Sequence, residues 1–108
     1  MQRKSFADMT CPIARSLEHV GEWWSMLILR DAFGGTTRFD DFQRSLGIAP
    51  NMLARRLAAL VDAGLLERRP YSERPPRLEY VLTEKGQSLG PIVKAMRDWG
   101  AKNLPKVR

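Results

Sequence analysis

The chain is poor in the residues that build metal and disulfide frameworks. Its 108 residues hold one cysteine, Cys11, and one histidine, His19. A lone cysteine excludes a disulfide within the chain and points to a reducing compartment. With so few thiol and imidazole ligands, no Cys/His zinc cluster can assemble in one protomer. Long apolar runs are missing as well, and nothing approaches the roughly 18 residues of a membrane span. Met1–Thr10 lack the apolar region of a signal peptide, so a cytoplasmic protein is expected. There is no nucleophile–base pair, phosphate-cradling glycine loop or metal cluster, so neither an enzyme nor a cofactor is expected. Lysine is absent between Lys4 and Lys85, which makes every cation across that stretch an arginine. Arginine's planar fork suits phosphates and guanine edges, although a genomic codon bias would produce the same usage.

What is present is an ordinary globular balance, 44% hydrophobic and 28% charged, long enough for one modest core. The expected organisation is an N-terminal arm over 1–10, one domain over 11–102 and a basic tail over 103–108. The net charge of +6 favours an anionic partner. It is unevenly spread: residues 51–81 carry six arginines against four acids, and residues 82–108 carry six bases against two.

Element signals follow in a definite order. Pro12 suits the first position of a helix, with Cys11 just before it and Ile13, Leu17 and Val20 at helical spacing. After Gly21 comes a run that is apolar on nearly every side, Trp23 to Phe33, which predicts a central helix buried by its neighbours and ended by Gly34-Gly35. Thr36–Phe39 reads as a short edge strand. A third helix is expected from an Asp40 N-cap to Gly47. Pro50 opens a fourth, to about Ala63, with Leu53, Leu57 and Leu60 as its apolar stripe. The period then switches. Residues 65–71 and 77–83 read as two antiparallel strands around an irregular, proline-stiffened tip at 72–76. Thr83-Glu84 opens a last helix carrying Leu89, Ile92, Val93, Met96 and Trp99. The order predicts an α+β, mainly α, winged helix-turn-helix with a two-stranded β-hairpin wing and flanking dimerisation helices.

The fourth helix has a polar face. Relative to Leu53, the residues Asn51, Arg55, Ala58 and Asp62 fall at about 140° to 200° on the helical wheel, opposite the core stripe. Asn51 and Arg55 carry the chemistry that reads adenine and guanine edges, and helix-turn-helix proteins use the N-terminal turns where Pro50, Asn51, Met52 and Arg55 lie. Ala54 and Ala58 are small enough for close approach to a groove, and Arg56 flanks the face. A solvated helix face would look the same, and Asp62 would repel phosphate. In the hairpin, Arg74 at the tip and Arg77 beside it could press on a minor groove or on phosphates. Arg68 and Arg69 serve equally well as guards of an exposed strand edge.

A wider set of residues resembles the HxlR-type winged-helix regulators. It includes Cys11-Pro12-Ile13, Gly21 with Trp24, Leu27-Ile28-Leu29-Arg30-Asp31, Arg38-Phe39, Phe42, Gly47-Ile48, Met52-Leu53 and Arg56-Leu57. It continues through Leu60, Gly64-Leu65, Arg68, Tyr71, Pro75-Pro76, Glu79-Tyr80, Leu82-Thr83, Gly86, Leu89 and Trp99-Gly100. The resemblance covers about residues 11–100. It implies a prokaryotic transcription factor, probing operator DNA as a homodimer joined by its first and last helices. Arg38, Pro50, Asn51, Met52, Ala54, Arg55, Arg56, Arg74 and Arg77 are then the expected DNA-binding residues. Ile13, Leu17, Val93, Met96 and Trp99 are the expected dimer interface. The chain departs from the family at Trp23, where a basic residue is usual, at Ala49, where a hydroxyl usually caps the recognition helix, and at Ala54, commonly polar.

Some relatives of this type sense oxidants or electrophiles through a cysteine matching Cys11. A thiol at a helix N-terminus gains reactivity from the dipole, and Arg15 lies one turn on; a small buried packing residue is the alternative. A small-molecule effector could instead lodge among Trp23, Trp24, Phe33, Met96 and Trp99, unless these are ordinary core and interface anchors. The leading expectation is a homodimeric, sequence-specific DNA-binding regulator, a repressor, with an oxidant or small-molecule effector and no membrane partner. The alternative is a winged-helix protein–protein adaptor that never reads bases.

Overall fold

In the computed structural model, residues 10–104 are described. The expected arm before Thr10 and the end of the expected tail, residues 105–108, lie outside them. The first two helices are α1 (Pro12–Val20) and α2 (Trp23–Phe33). Pro12 stands in the first turn of α1 with Cys11 extended at the N-cap. Glu22 caps α2: one carboxylate oxygen accepts from the amides of Trp24 at 2.9 Å and Ser25 at 3.1 Å. Two otherwise orphaned helix donors are thereby satisfied.

Next come α3 (Phe39–Leu46) and α4 (Pro50–Asp62). Gly47 ends α3 in the left-handed region, φ 64°, where side chains with a Cβ are strained. That residue turns the chain sharply enough for Pro50 to start α4 three positions later. Leu53, Leu57 and Leu60 are fully buried against Ile28 and Leu29 of α2 and Phe42 of α3, with Ile48, Leu65 and Leu66 closing the cluster. This one core holds α4 by its apolar stripe, so its opposite face points away from the protein.

Several expectations are corrected. Asp40 is not the N-cap of α3; Arg38 is, and Asp40 and Asp41 occupy the first turn, where carboxylates favour the helix dipole. The expected edge strand at Thr36–Phe39 contracts to one bridge between Arg38 and Glu79, with the Tyr80 amide donating to the Thr37 carbonyl at 2.7 Å. Phe39 already belongs to α3, so too little extended chain remains for a strand.

The hairpin pairs β1 (Leu66–Glu73) with β2 (Pro76–Leu82), Leu66 opposite Leu82 and Glu73 opposite Pro76. The expected irregular tip at 72–76 shrinks to Arg74-Pro75, joined by a cis peptide bond. In a two-stranded ribbon both strands are edges, so Pro70 and Pro76 sit within them without disrupting a central ladder. A register shift between Pro70 and Ser72 marks a bulge at Tyr71.

The expected last helix is two helices, α5 (Glu84–Gln87) and α6 (Gly90–Asn103). Pro91 accounts for the break. Its ring has no amide hydrogen and would clash with the Gln87 carbonyl if one helix ran through. Nor is α2 buried all round: Trp23, at its first position, is 86% exposed and Phe33, at its last, is 37% exposed. No residue of α6 is buried, and only Ala14 of α1 is. The radius of gyration, 15.1 Å, exceeds the roughly 13 Å of a compact domain of this length, as helices standing off the core require.

Candidate nucleic-acid interface

The outward face of α4 presents Pro50, Asn51, Ala54 and Arg55 to solvent, with Met52 half-buried beside them. Arg55 Nη2 lies 4.0 Å from Met52 Sδ, a loose contact that leaves the guanidinium available. Ala49 supplies no side-chain cap, so the first amides of α4 are not closed off by their own N-cap. Arg56 behaves differently. It is half-buried and leans toward the start of α2, with Nη1 3.8 Å from Glu22 Oε2. Its Nε is buried with no hydrogen-bond partner. Glu22 thus caps α2 and faces the middle of α4 at once, tying the α1–α2 junction to the inner flank of α4.

The base of the hairpin is clamped to the far end of α4. Lys85 Nζ donates to the Ala63 carbonyl at 2.8 Å, a cation placed at a helix C-terminus. Thr83 donates its hydroxyl to the Gly64 carbonyl, and its amide donates to the Leu65 carbonyl at 3.1 Å. The same hydroxyl accepts from Gly86 N at 2.9 Å. Wing and α4 therefore share one rigid hinge. The wing reaches out to Arg74 at its tip, which is exposed. Arg69 pairs with Glu67 at 3.0 Å, and Arg68 lies 5.8 Å from the Tyr80 ring centre.

Arg38 and Arg77, far apart in sequence, are brought together. Both line a polar cleft between the start of α3 and the wing, with Tyr71 and Arg44. The Arg38 guanidinium stacks 4.1 Å from the Tyr71 ring centre, which the bulge turns toward it. Thr37 Oγ1 donates to Glu79 Oε2 at 3.0 Å and fastens the loop to β2. Arg44 was missed by the sequence reading; its place three residues after Asp41, with which it pairs at 3.1 Å, was the available signal. Asp40 and Asp41 line the cleft too and temper its positive charge.

The remaining expected site residues lie elsewhere. Ile13 (72% exposed), Leu17, Met96 and Trp99 form apolar faces on α1 and α6, whereas Val93 is half-buried against the core. Cys11 is an exposed free thiol at the N-cap of α1. Of the five residues expected around an effector, only Phe33 and Met96 line the groove between α2 and α6. Trp24 packs on the core instead, and Trp23 and Trp99 face solvent. Among the described residues, no group of three His, Cys, Asp or Glu could hold a metal, and no helix is long and apolar enough to cross a membrane.

Helices α2 to α4 around one core, with a hairpin hinged to the last of them, define a winged helix-turn-helix transcriptional regulator. The chain belongs to the HxlR-like helix-turn-helix family, whose model matches residues 19–108. The HTH-type transcriptional regulator Rv3095 of Mycobacterium tuberculosis is 47% identical over 94 residues, which are 87% of this chain and 60% of the relative. The chain thus spans about 60% of that relative's length. The crystal structure of PA1607 superposes with a TM-score of 0.86 at 46% identity, over 94% of this chain and 72% of that one. The redox regulator HypR in its reduced form gives a TM-score of 0.83 at 34% identity, over 88% and 95%.

Proposed function

We propose that two copies of this chain bind a pseudo-palindromic operator as a repressor, each laying α4 in the major groove with the wing alongside. The observation that carries this reading is the exposed Asn51–Arg55 face opposite a stripe of three fully buried leucines. The face has hydrogen-bonding side chains for base edges and two alanines' worth of clearance at Ala54 and Ala58. Arg74 and Arg77 on the wing, with Arg38 and Arg44 at its foot, serve as phosphate or minor-groove contacts. Arg56 acts on the same helix from its inner flank, through Glu22. The uncovered apolar faces of α1 and α6, with Ile13, Leu17, Met96 and Trp99, support a dimer. Two-fold symmetry then puts the half-sites about one helical turn, roughly 34 Å, apart.

Selection from random duplex DNA, followed by titration of variants, tests the reading. Arg55→Ala is expected to cost about 1–3 kcal/mol and to relax preference at one base position. Arg74→Ala is expected to weaken all sequences evenly and to lower the salt slope by about 1. Unchanged affinity in both variants overturns the base-reading model in favour of an adaptor.

A second reading concerns control. Cys11 is exposed at the N-cap of α1, and the similar HypR is named a redox regulator. An oxidant such as diamide would take two electrons and two protons from two Cys11 thiols, joining the protomers through a disulfide. Operator release by diamide that survives Cys11→Ser removes this reading.

A further inference from the structure

The groove between α2 and α6 shares no residue with the α4 face or the wing and encloses about 510 Å³. That volume lies within the range of small-molecule sites. Its floor is Leu27 and Phe33 from α2 with Val93 and Met96 from α6. Gly90 keeps the floor open at one end, since a Cβ there would touch the Phe33 ring at 3.4 Å.

The rim is of one sign. Arg30, Lys94 and Arg97 line the groove, and no acidic residue does. Their carboxylate partners stand outside the lining: Arg30 pairs with Asp31 at 3.0 Å, while Lys94 and Arg97 share Asp98 at 2.9 and 3.6 Å. Three cations over two carboxylates leave one positive charge in excess beside an apolar floor. That excess is met by an anion, whereas a purely apolar surface laid over the rim would leave it uncompensated.

We propose that this groove binds an amphipathic organic anion, an apolar body of the fatty-acid or aryl-acid kind bearing one carboxylate. The body lies on Leu27, Phe33 and Val93, and the carboxylate meets Lys94 and Arg97 at the rim. Because the floor joins α2, which supports α4 through Ile28 and Leu29, to α6, which carries an uncovered apolar face, occupancy biases the distance between α6 and the reading helix. This regulatory consequence rests on the DNA-binding reading; the binding itself does not.

The test titrates the free full-length protein with decanoate and with its neutral methyl ester, by calorimetry. Saturable binding of one decanoate per chain is expected, weakened about tenfold in Lys94→Gln/Arg97→Gln, with ester binding unaffected. Both substitutions are on exposed side chains, so circular dichroism should be unchanged. Val93→Phe, which fills the floor, is expected to abolish binding of both compounds. Absence of saturable binding, or equal decanoate binding in the double variant, overturns the proposal. So does a Val93→Phe protein that turns monomeric in sedimentation while the parent binds no decanoate, since the groove then belongs to a second copy. Decanoate binding without any DNA binding upholds the site and removes the regulator reading. DNA binding without decanoate binding overturns the site alone.

Discussion

Gly86→Ala sets two effects of opposite sign against each other. Gly86 lies inside α5 with ordinary helical geometry, so helix propensity alone predicts that alanine stabilises by about 1 kcal/mol. Packing predicts the reverse. A Cβ at position 86 would overlap the Leu65 carbonyl oxygen and would lie 3.0 Å from its carbon and 3.1 Å from Leu82 Cδ2. The carbonyl cannot simply turn away, because it accepts the Thr83 amide at 3.1 Å. Displacing it forfeits a hydrogen bond worth about 1 kcal/mol, and overpacking a buried site costs about 1–3 kcal/mol more. Offset by the propensity gain, the net expectation is a loss of about 2 kcal/mol. In urea the midpoint should fall with an unchanged slope, and Tm should drop by about 10 °C. Gly34→Ala is the internal control. Its backbone is αR, and the nearest contact of an added Cβ is 3.4 Å, so it should stabilise by about 0.5 kcal/mol through the unfolded chain. If Gly86→Ala proves as stable as the parent while Gly34→Ala behaves as expected, the close approach of α5 to Leu65 is wrong.

Three further outcomes are expected. Glu22→Ala removes the cap of α2 and leaves half-buried Arg56 facing no carboxylate, so urea unfolding should show a loss of about 1–2 kcal/mol. A double-mutant cycle with Arg56→Ala should return a coupling of about 0.5 kcal/mol, and zero coupling would deny the link between α2 and α4. Phe42→Ala, at the fully buried centre of the core, should cost about 3–5 kcal/mol and is read by thermal melting. The hydrogen bond from Lys94 holds the Asp98 carboxyl below its ordinary value of 3.8. A depressed folded pKa gives stability that is present above 3.8 and lost as pH falls through the lower folded value. Lys94→Gln should move the Asp98 titration, followed by carboxyl NMR, back toward 3.8.

The placement of the outward face has a plain mechanical basis. Three leucines at positions 53, 57 and 60 bury one side of α4 completely, so Asn51 and Arg55 have only solvent to face. The Lys85, Thr83 and Gly64 contacts then hold the wing at a set angle to that helix.

Much of this was legible in the residue order. Spacing of apolar residues located α1 to α4, and Gly47 followed by Pro50 marked the tight turn, because these signals act within a few residues of themselves. The alternation at 77–83 marked β2 for the same reason. Local rules also located the Asn51–Arg55 face, since opposing sides of a helix follow from its period alone. What they could not decide were contacts between distant segments. Arg56, expected on the flank of that face, leans toward Glu22, thirty-four positions earlier, a contact that no local rule gives. Arg38 and Arg77 became neighbours only when the loop before α3 bridged to β2. The hairpin tip depended on both strands being edges, and the groove lined by Phe33 depended on α6 packing against α2. Chain-local chemistry thus determined which helices exist and which faces they bury, while tertiary packing alone decided which charged side chains remain free to meet a partner.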